Sequence, residues 1–232
     1  MGGDFAPKKT IEGAVLALEH FHKNEKLFLF GQEKKITSEL NKYNFNNDLI
    51  EIIDCSEIIE MGEHPTKAFK NKIDSSIYKG FEYLAKNEID TFASAGNTGA
   101  MFIGGYYTVK PIRGVIRPSI ATVLPKLNGK VSVLLDVGAN ADCKADVLYQ
   151  FGVLGSLYAQ NVYDIKDPKV SLLNLGEEKT KGNMLTQTAY SLMHGSKDYN
   201  FIGNIEANNI FESDTDVIVC DGFTGNIVLK QA

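Results

Sequence analysis

Two rhythms of apolar residues alternate along this chain. One is a set of short runs: Lys26–Phe30 (KLFLF), Leu49–Asp54 (LIEIID), Asp90–Ser94 (DTFAS), Val131–Asp136 (VSVLLD), Val170–Leu175 (VSLLNL), Phe201–Ile205 and Asp216–Asp221 (DVIVCD). Several are apolar at consecutive positions, as expected of strands covered on both faces. The other rhythm has helical spacing. Ile11, Val15, Leu18 and Phe21 share one face of a segment that follows Pro7, Ile77, Phe81 and Leu84 share another, and Leu148, Phe151 and Leu154 a third. Alternating strands and helices predict a three-layer α/β/α fold, with a mostly parallel, doubly wound sheet covered on both sides. No linker, repeat or low-complexity stretch interrupts it, so residues 1–232 read as a single α/β domain.

One segment breaks the alternation. Lys110–Gly129 (KPIRGVIRPSIATVLPKLNG) carries basic residues and three prolines, and predicts an extended strand or hairpin departing from the doubly wound plan. Both ends of the chain read as internal to a larger sheet. Met1-Gly2-Gly3-Asp4 is a glycine turn entering a helix, and such turns normally follow a strand. Gly225–Ala232 reads as a helix that is only beginning. The expectation is a domain incomplete at both ends.

Composition adds exclusions. The 232 residues are 44% hydrophobic and 23% charged, as in ordinary folded domains. A net charge of −5, from 24 basic and 29 acidic residues without a basic stripe, argues against a nucleic-acid partner. Cys55, Cys143 and Cys220 are odd in number, far apart and without a CxxC or Cys/His cluster, so neither a disulfide framework nor a metal site is expected. No run approaches the roughly 18 apolar residues of a spanning helix, and no signal peptide is evident. A cytoplasmic location follows as the expectation.

In an open parallel sheet, ligands bind outside the carboxyl ends of the strands. Four expected strand ends carry glycine together with Asn, Asp or Lys: Ala95–Ala100 (AGNTGA), Asp136–Asn140 (DVGAN), Gly176–Asn183 (GEEKTKGN) and Asp221–Asn226 (DGFTGN). Glycines let backbone N–H groups approach a ligand closely, and helices starting after the loops present unpaired N–H groups to an anion. Asn amides can donate to an oxyanion, and Lys181 can neutralise phosphate. Plainer readings stand beside these. Any α/β protein needs glycine to turn from strand to helix, Asn97 and Asn140 suit turns and caps, and Asp136 and Asp221 suit helix caps. The loops together specify an anion-binding crevice and not a reaction.

Other motifs contribute little. His20, His22, His64 and His194 have no partner at catalytic spacing. Ser94 lies outside a GxSxG elbow, and Walker and GxGxxG loops are absent, which leaves no nucleotide fingerprint, and no cofactor is expected.

At these loops the sequence resembles the PlsX family, the phosphate acyltransferases of bacterial phospholipid synthesis. The segments that carry the resemblance are MGGDFAP (Met1–Pro7), SAGNTGA (Ser94–Ala100), LLDVGAN (Leu134–Asn140), GEEKTKGN (Gly176–Asn183) and DGFTGN (Asp221–Asn226). Weaker echoes are Lys72, Ser75-Ser76, Arg117-Pro118 and FIGNIE (Phe201–Glu206). Two places depart from the family pattern, at three residues: Phe5 stands where His usually follows MGGD, and Ala207-Asn208 where a Gly-Arg pair is usual. No proton-transfer role is therefore assigned to position 5.

The resemblance implies a Rossmann-like fold similar to phosphate acetyltransferases and isocitrate dehydrogenase-type enzymes, and a homodimer. It implies transfer of a fatty acyl group from acyl carrier protein to inorganic phosphate, giving acyl phosphate. It also implies peripheral association with the inner face of the membrane through an apolar tip, although no such segment is evident here. A phosphate acetyl- or butyryltransferase using acyl-CoA, and a non-catalytic phosphate-binding protein, are the alternatives. Motifs and chemistry together select Lys181, Asn226 and Asn97 as the catalytic set. Gly3, Asp4, Ser94, Gly96, Thr98, Gly99, Asp136, Gly138, Asn140, Gly176, Asp221, Gly222 and Gly225 are the expected substrate-binding positions.

Overall fold

The computed structural model describes residues 1–44 and 47–232, which form two compact units, Met1–Lys110 and Pro111–Ala232. In the first unit, β1 (Leu27–Gly31) and β2 (Ile50–Asp54) pair in parallel, with Leu29 beside Ile52. Helix α1 (Lys8–Ala17) and α2 (Glu33–Leu40) close over this pair, burying Ile11, Leu29, Ile36 and Leu40 together. Ile11 is the buried position of the predicted first helix, while Leu16 on its other side is exposed. A second cluster joins α3 (Pro65–Asn71), α4 (Ser76–Ala85) and α5 (Thr98–Gly104) through Phe69, Ile77, Phe81 and Ala100.

Residues 91–94 correct the sequence reading, because they form no ladder with another strand among the described residues. What holds them is the Phe92 ring, edge-on to Phe81 at 5.2 Å and to Phe30 at 5.9 Å. The ring also lies over Gly80, where a Cβ would come within 2.2 Å of it. The apolar run there reports side-chain burial and not strand pairing.

The second unit contains a five-stranded sheet in the order β3-β4-β7-β5-β6. Its strands are β3 (Ala121–Pro125), β4 (Val131–Leu135), β5 (Lys169–Leu173), β6 (Asn200–Ile205) and β7 (Val217–Val219). Every pairing is parallel except β3 with β4, the hairpin that the proline-rich segment predicted. Its turn closes through Lys126 N–H to Lys130 O at 2.8 Å, with Gly129 at φ +80°. Adjacent strand residues face opposite ways. Val133, Leu135, Val170, Leu172, Val217 and Val219 lie under α6 (Ala145–Tyr163) and α7 (Met184–Met193). Leu134, Leu173, Ile218 and Cys220 face the other side, where Ile210 and Val228 of α8 (Gly222–Gln231) meet them. All of these strand residues are buried, as consecutive apolar runs require.

Candidate active site

Strands β4 and β7 are neighbours, yet the helices that follow them leave toward opposite faces of the sheet, α6 to one and α8 to the other. Such a divergence opens a crevice at the carboxyl ends of the two strands. The same divergence holds between β7 and β5, which is followed by α7, so chain topology predicts a ligand at the carboxyl ends on either side of β7.

Asp136 sits at the floor of that crevice, fully buried. Its carboxylate accepts N–H bonds from Ile120 (3.1 Å), Gly138 (3.2 Å), Ala139 (3.1 Å) and Asn140 (2.6 Å), and from the Asn140 side chain at 2.8 Å. Dense donation of this kind satisfies a buried carboxylate. The backbone amides of Gly138 and Asn140, two of the expected substrate-binding positions, are therefore turned inward and serve the carboxylate. Asp136 organises the loop from within.

Loop Asp136–Asn140 and the start of α8 are locked together. Gly222 N–H donates to Asn140 O at 2.8 Å, and the Cys220 thiol donates to Asp136 O at 3.5 Å. A Cβ on Gly225 would lie 1.9 Å from Asp136 O, so only glycine allows this approach. Asp221 caps α8, with Oδ1 accepting from Thr224 N–H at 2.8 Å and Oδ2 from the Thr224 hydroxyl at 2.9 Å. Asn226, one turn further on, lies against Gly138 and donates from Nδ2 to Val137 O at 3.0 Å. That bond uses one of its two amide hydrogens.

Strand β5 lies beside β7 and ends at the same edge of the sheet, which brings the loop Gly176–Asn183 to that edge. The loop is tied by side-chain amides. Asn174 donates to Lys181 O, Asn204 to Glu178 O, and Gln187 to Thr180 O and Gly182 O. Asn183 caps α7 through Thr186 N–H at 2.9 Å. The aliphatic stem of Lys181 passes over Gly176, where a Cβ would meet its Cγ at 2.8 Å, and the side chain is exposed to solvent. Asn204 lies in the weaker FIGNIE echo, whereas Asn174 and Gln187 carry no signal in the sequence, because spaced polar residues show no pattern until the loop is folded.

Arg117 belongs at this edge as well, because β3 runs antiparallel and begins here. Its Nη1 donates to Asp142 O at 3.0 Å, while Asn140 Nδ2 donates to Pro118 O at 2.9 Å.

The remaining predicted positions gather in the first unit. Gly2 packs against Gly96, and Gly3 (φ +88°) against Ala95 O, so the MGGD and SAGN turns meet backbone to backbone. Ser94 Oγ accepts from Gly96 N–H at 3.1 Å, and Gly99 lies against Pro65. Asp4 and Thr98 are exposed. Asn97 is buried, and its carboxamide is fully engaged. Oδ1 caps α5 through Ala100 N–H at 2.9 Å, and Nδ2 donates to the carbonyls of Glu60, Met61 and Glu63, each at 3.1 Å. A direct oxyanion contact from Asn97 is therefore corrected to the capping role that its residue type also suits.

No cysteine here is poised as a nucleophile. Burial, reinforced by the charges of Asp136 and Asp221, pushes the Cys143 thiol up to about 11, and burial raises Cys220 further still.

The model of the fatty acid synthesis protein family matches residues 1–232. A phosphate acyltransferase of Dictyoglomus turgidum is 44% identical over 232 residues, covering all of this chain and 68% of that protein. One from Staphylococcus aureus strain Newman is 48% identical over 231 residues, again 100% of this chain and 68% of the relative. Among solved structures, a phosphotransacetylase from Streptococcus pyogenes superposes with a TM-score of 0.65 at 18% identity, over 96% of this chain and 84% of its own. A branched-chain phosphotransacylase from Enterococcus faecalis V583 gives 0.64 at 14%, over 99% and 81%. Those two likenesses establish the α/β fold. The family model and the curated relatives agree with the loop motifs, and the chain belongs to the fatty acid synthesis protein family, PlsX.

Proposed function

We propose that the protein transfers a fatty acyl group from acyl carrier protein to inorganic phosphate, releasing acyl phosphate. The observation that carries this reading is the β4–β7 crevice, with Asn226 on one wall and the Lys181 loop at the same sheet edge. A cation and a carboxamide donor carried at one sheet edge suit an anionic nucleophile and a developing oxyanion.

In this mechanism a phosphate oxygen attacks the thioester carbonyl. A C–O bond forms, the C–S bond breaks, and the phosphate proton passes to the departing thiolate. Lys181 offsets the phosphate charge, and the free amide hydrogen of Asn226 donates to the oxyanion. Asp136 and Asn140 hold the loop on which Asn226 rests, and Asn97 shapes the SAGN turn of the first unit. The nucleophile is phosphate itself, so no acyl-enzyme is required.

A homodimer in the cytoplasm, with peripheral contact to the inner face of the membrane, is the setting proposed with this activity. No helix among the described residues is long and apolar enough to cross a membrane. The test is acyl phosphate formation, trapped as the hydroxamate, from acyl carrier protein thioesters and from short acyl-CoA. Product from the carrier-bound donor supports the proposal. Product from short acyl-CoA alone assigns a phosphate acetyl- or butyryltransferase, and none from either leaves a phosphate-binding protein.

A further inference from the structure

An acyl donor needs a place for its chain, and the second unit contains one that the loop motifs do not mark. A cavity of about 480 Å³ lies between α6 and α7, lined by Ile116, Tyr149, Gln150, Val153 and Leu192, with Asp146 and Asp198 among its walls. Its exposed lining is mostly apolar. The volume falls within the range of small-molecule sites, roughly 300–1,000 Å³. The Tyr149 hydroxyl is held by Asp198 at 2.6 Å and by Ser196 at 2.8 Å. The Asp198 carboxylate is thereby partly satisfied.

What relates this cavity to the crevice is a strap, residues 114–118. Gln150 holds one end, donating to Gly114 O at 2.9 Å and accepting from Ile116 N–H at 2.6 Å. The other end is bound to the crevice loop, through Arg117 to Asp142 O and through Pro118 O to Asn140. One short segment thus supplies a wall of the apolar groove and, one and two residues later, touches the loop built on Asp136. The first turns of α6, which carry Asp146, Tyr149, Gln150 and Val153, begin directly after that same loop.

We propose that this groove receives the hydrocarbon chain of the acyl donor, and that Ile116, Val153 and Leu192 set chain-length preference. The inference rests on the proposed acyl transfer. The direction of binding follows from charge. Asp146 and Asp198 disfavour an anionic group in the groove but not a neutral chain, while the phosphate end belongs with Lys181. The apolar surface of Ile116 and Leu192, about half exposed in each case, is covered when a chain lies in it.

The protein contains no tryptophan, which allows a binding test independent of turnover. Tyr149→Trp places the sole tryptophan in the groove, excited to the red of the remaining tyrosines, and a long-chain acyl ester brominated along its chain should quench it. Val153→Phe added to that variant should abolish the quenching. In the otherwise native protein, Val153→Phe should lower kcat/KM for long-chain donors tenfold or more, on the order of 1.4 kcal/mol, and leave a short-chain donor within about twofold. Quenching with the expected chain-length shift supports the groove. Absent quenching, or a uniform loss across chain lengths, overturns it even where acyl phosphate still forms. Quenching in a protein that makes no acyl phosphate from any donor would retain the groove and refute the reaction.

Discussion

The Asp136 carboxylate accepts twice from Asn140, from the backbone N–H at 2.6 Å and from the side-chain Nδ2 at 2.8 Å. Two residues of one loop are thereby joined into a closed turn, and the same Asn140 amide reaches on to Pro118 O. Removing the carboxylate, which is itself fully buried, would leave five donor contacts unfilled, those from Asn140 at a buried residue. Each buried donor left unsatisfied costs about 1–3 kcal/mol. Asp136→Ala should therefore lose at least about 3 kcal/mol of stability, seen as a lower urea midpoint at unchanged slope. A midpoint equal to that of the parent would contradict the hub assigned to this residue.

Glycines provide a paired test of close packing. Gly225→Ala would place a methyl 1.9 Å from Asp136 O, against backbone that cannot move aside without disturbing the crevice. Gly13, inside α1, has open space to 4 Å around the position a methyl would take. Gly13→Ala should stabilise by about 0.5–1 kcal/mol, whereas Gly225→Ala should destabilise and reduce turnover together. Thermal melts of the two variants should move in opposite directions.

The three residues selected for catalysis now separate by what their side chains touch. Lys181 is exposed at the sheet edge, and Asn226 retains an amide hydrogen, so Lys181→Ala and Asn226→Ala should lower kcat with little change in melting temperature. Loss of one oxyanion donor typically costs about 2.7–4 kcal/mol in the barrier. Asn97→Ala removes a helix cap and a partner of three carbonyls, so it should cost about 1–3 kcal/mol of stability. Wild-type rates in both Lys181→Ala and Asn226→Ala would remove those residues from the mechanism.

That separation shows what was legible in the sequence. The buried strands of the second unit and α6 followed from apolar periodicity, because a sheet covered on both faces must be apolar on both. The extended strand within 110–129, which forms a hairpin with Val131–Leu135, followed from the prolines that break the alternation. Asp90–Ser94 misled, since a half-buried Phe92 looks the same in a strand and in an extended loop. Motifs located the loops but not the direction of their polar groups. Whether the Gly138 amide faces a ligand or Asp136 is decided by the fold of the turn, which residue identity does not encode. The apolar groove was invisible because Ile116, Val153 and Leu192 come from three separate elements.

Acid should act on the first unit through Asp74. Its carboxylate accepts from Ser56 N–H at 2.8 Å and lies 2.9 Å from the Lys79 ammonium; the Ser56 hydrogen bonds, and then Lys79, lower it to about 2. A depressed carboxylate favours the folded state above its unfolded value near 3.9. The contribution is full above about pH 4 and is lost as pH falls toward 2. The side chain is 38% exposed, so screening holds the effect below about 1 kcal/mol. Asp74→Asn should flatten the pH dependence of the unfolding midpoint in that window, and an unchanged profile would exclude this residue.

The thiols offer a test of the proposed nucleophile. Burial holds Cys55 and Cys143 up to about 11 and raises Cys220 further, so near pH 8 all three thiols are overwhelmingly protonated. Cys143 is the informative member, because it is only partly buried and its sulfur lies 3.7 Å from Asn140 O, beside the crevice. If phosphate attacks the thioester directly, Cys143→Ser should turn over within about twofold of the parent, roughly 0.4 kcal/mol in the barrier. All three thiols should then react slowly with an aromatic disulfide reagent in the native protein and quickly in urea. A fast-reacting thiol in the folded state, together with an acylated peptide containing Cys143 after incubation with donor, would replace direct attack by phosphate with a covalent route. Such a route needs a base near Cys143 to take its proton. The Asp136 carboxylate, already filled by N–H donors, is poorly suited to that task.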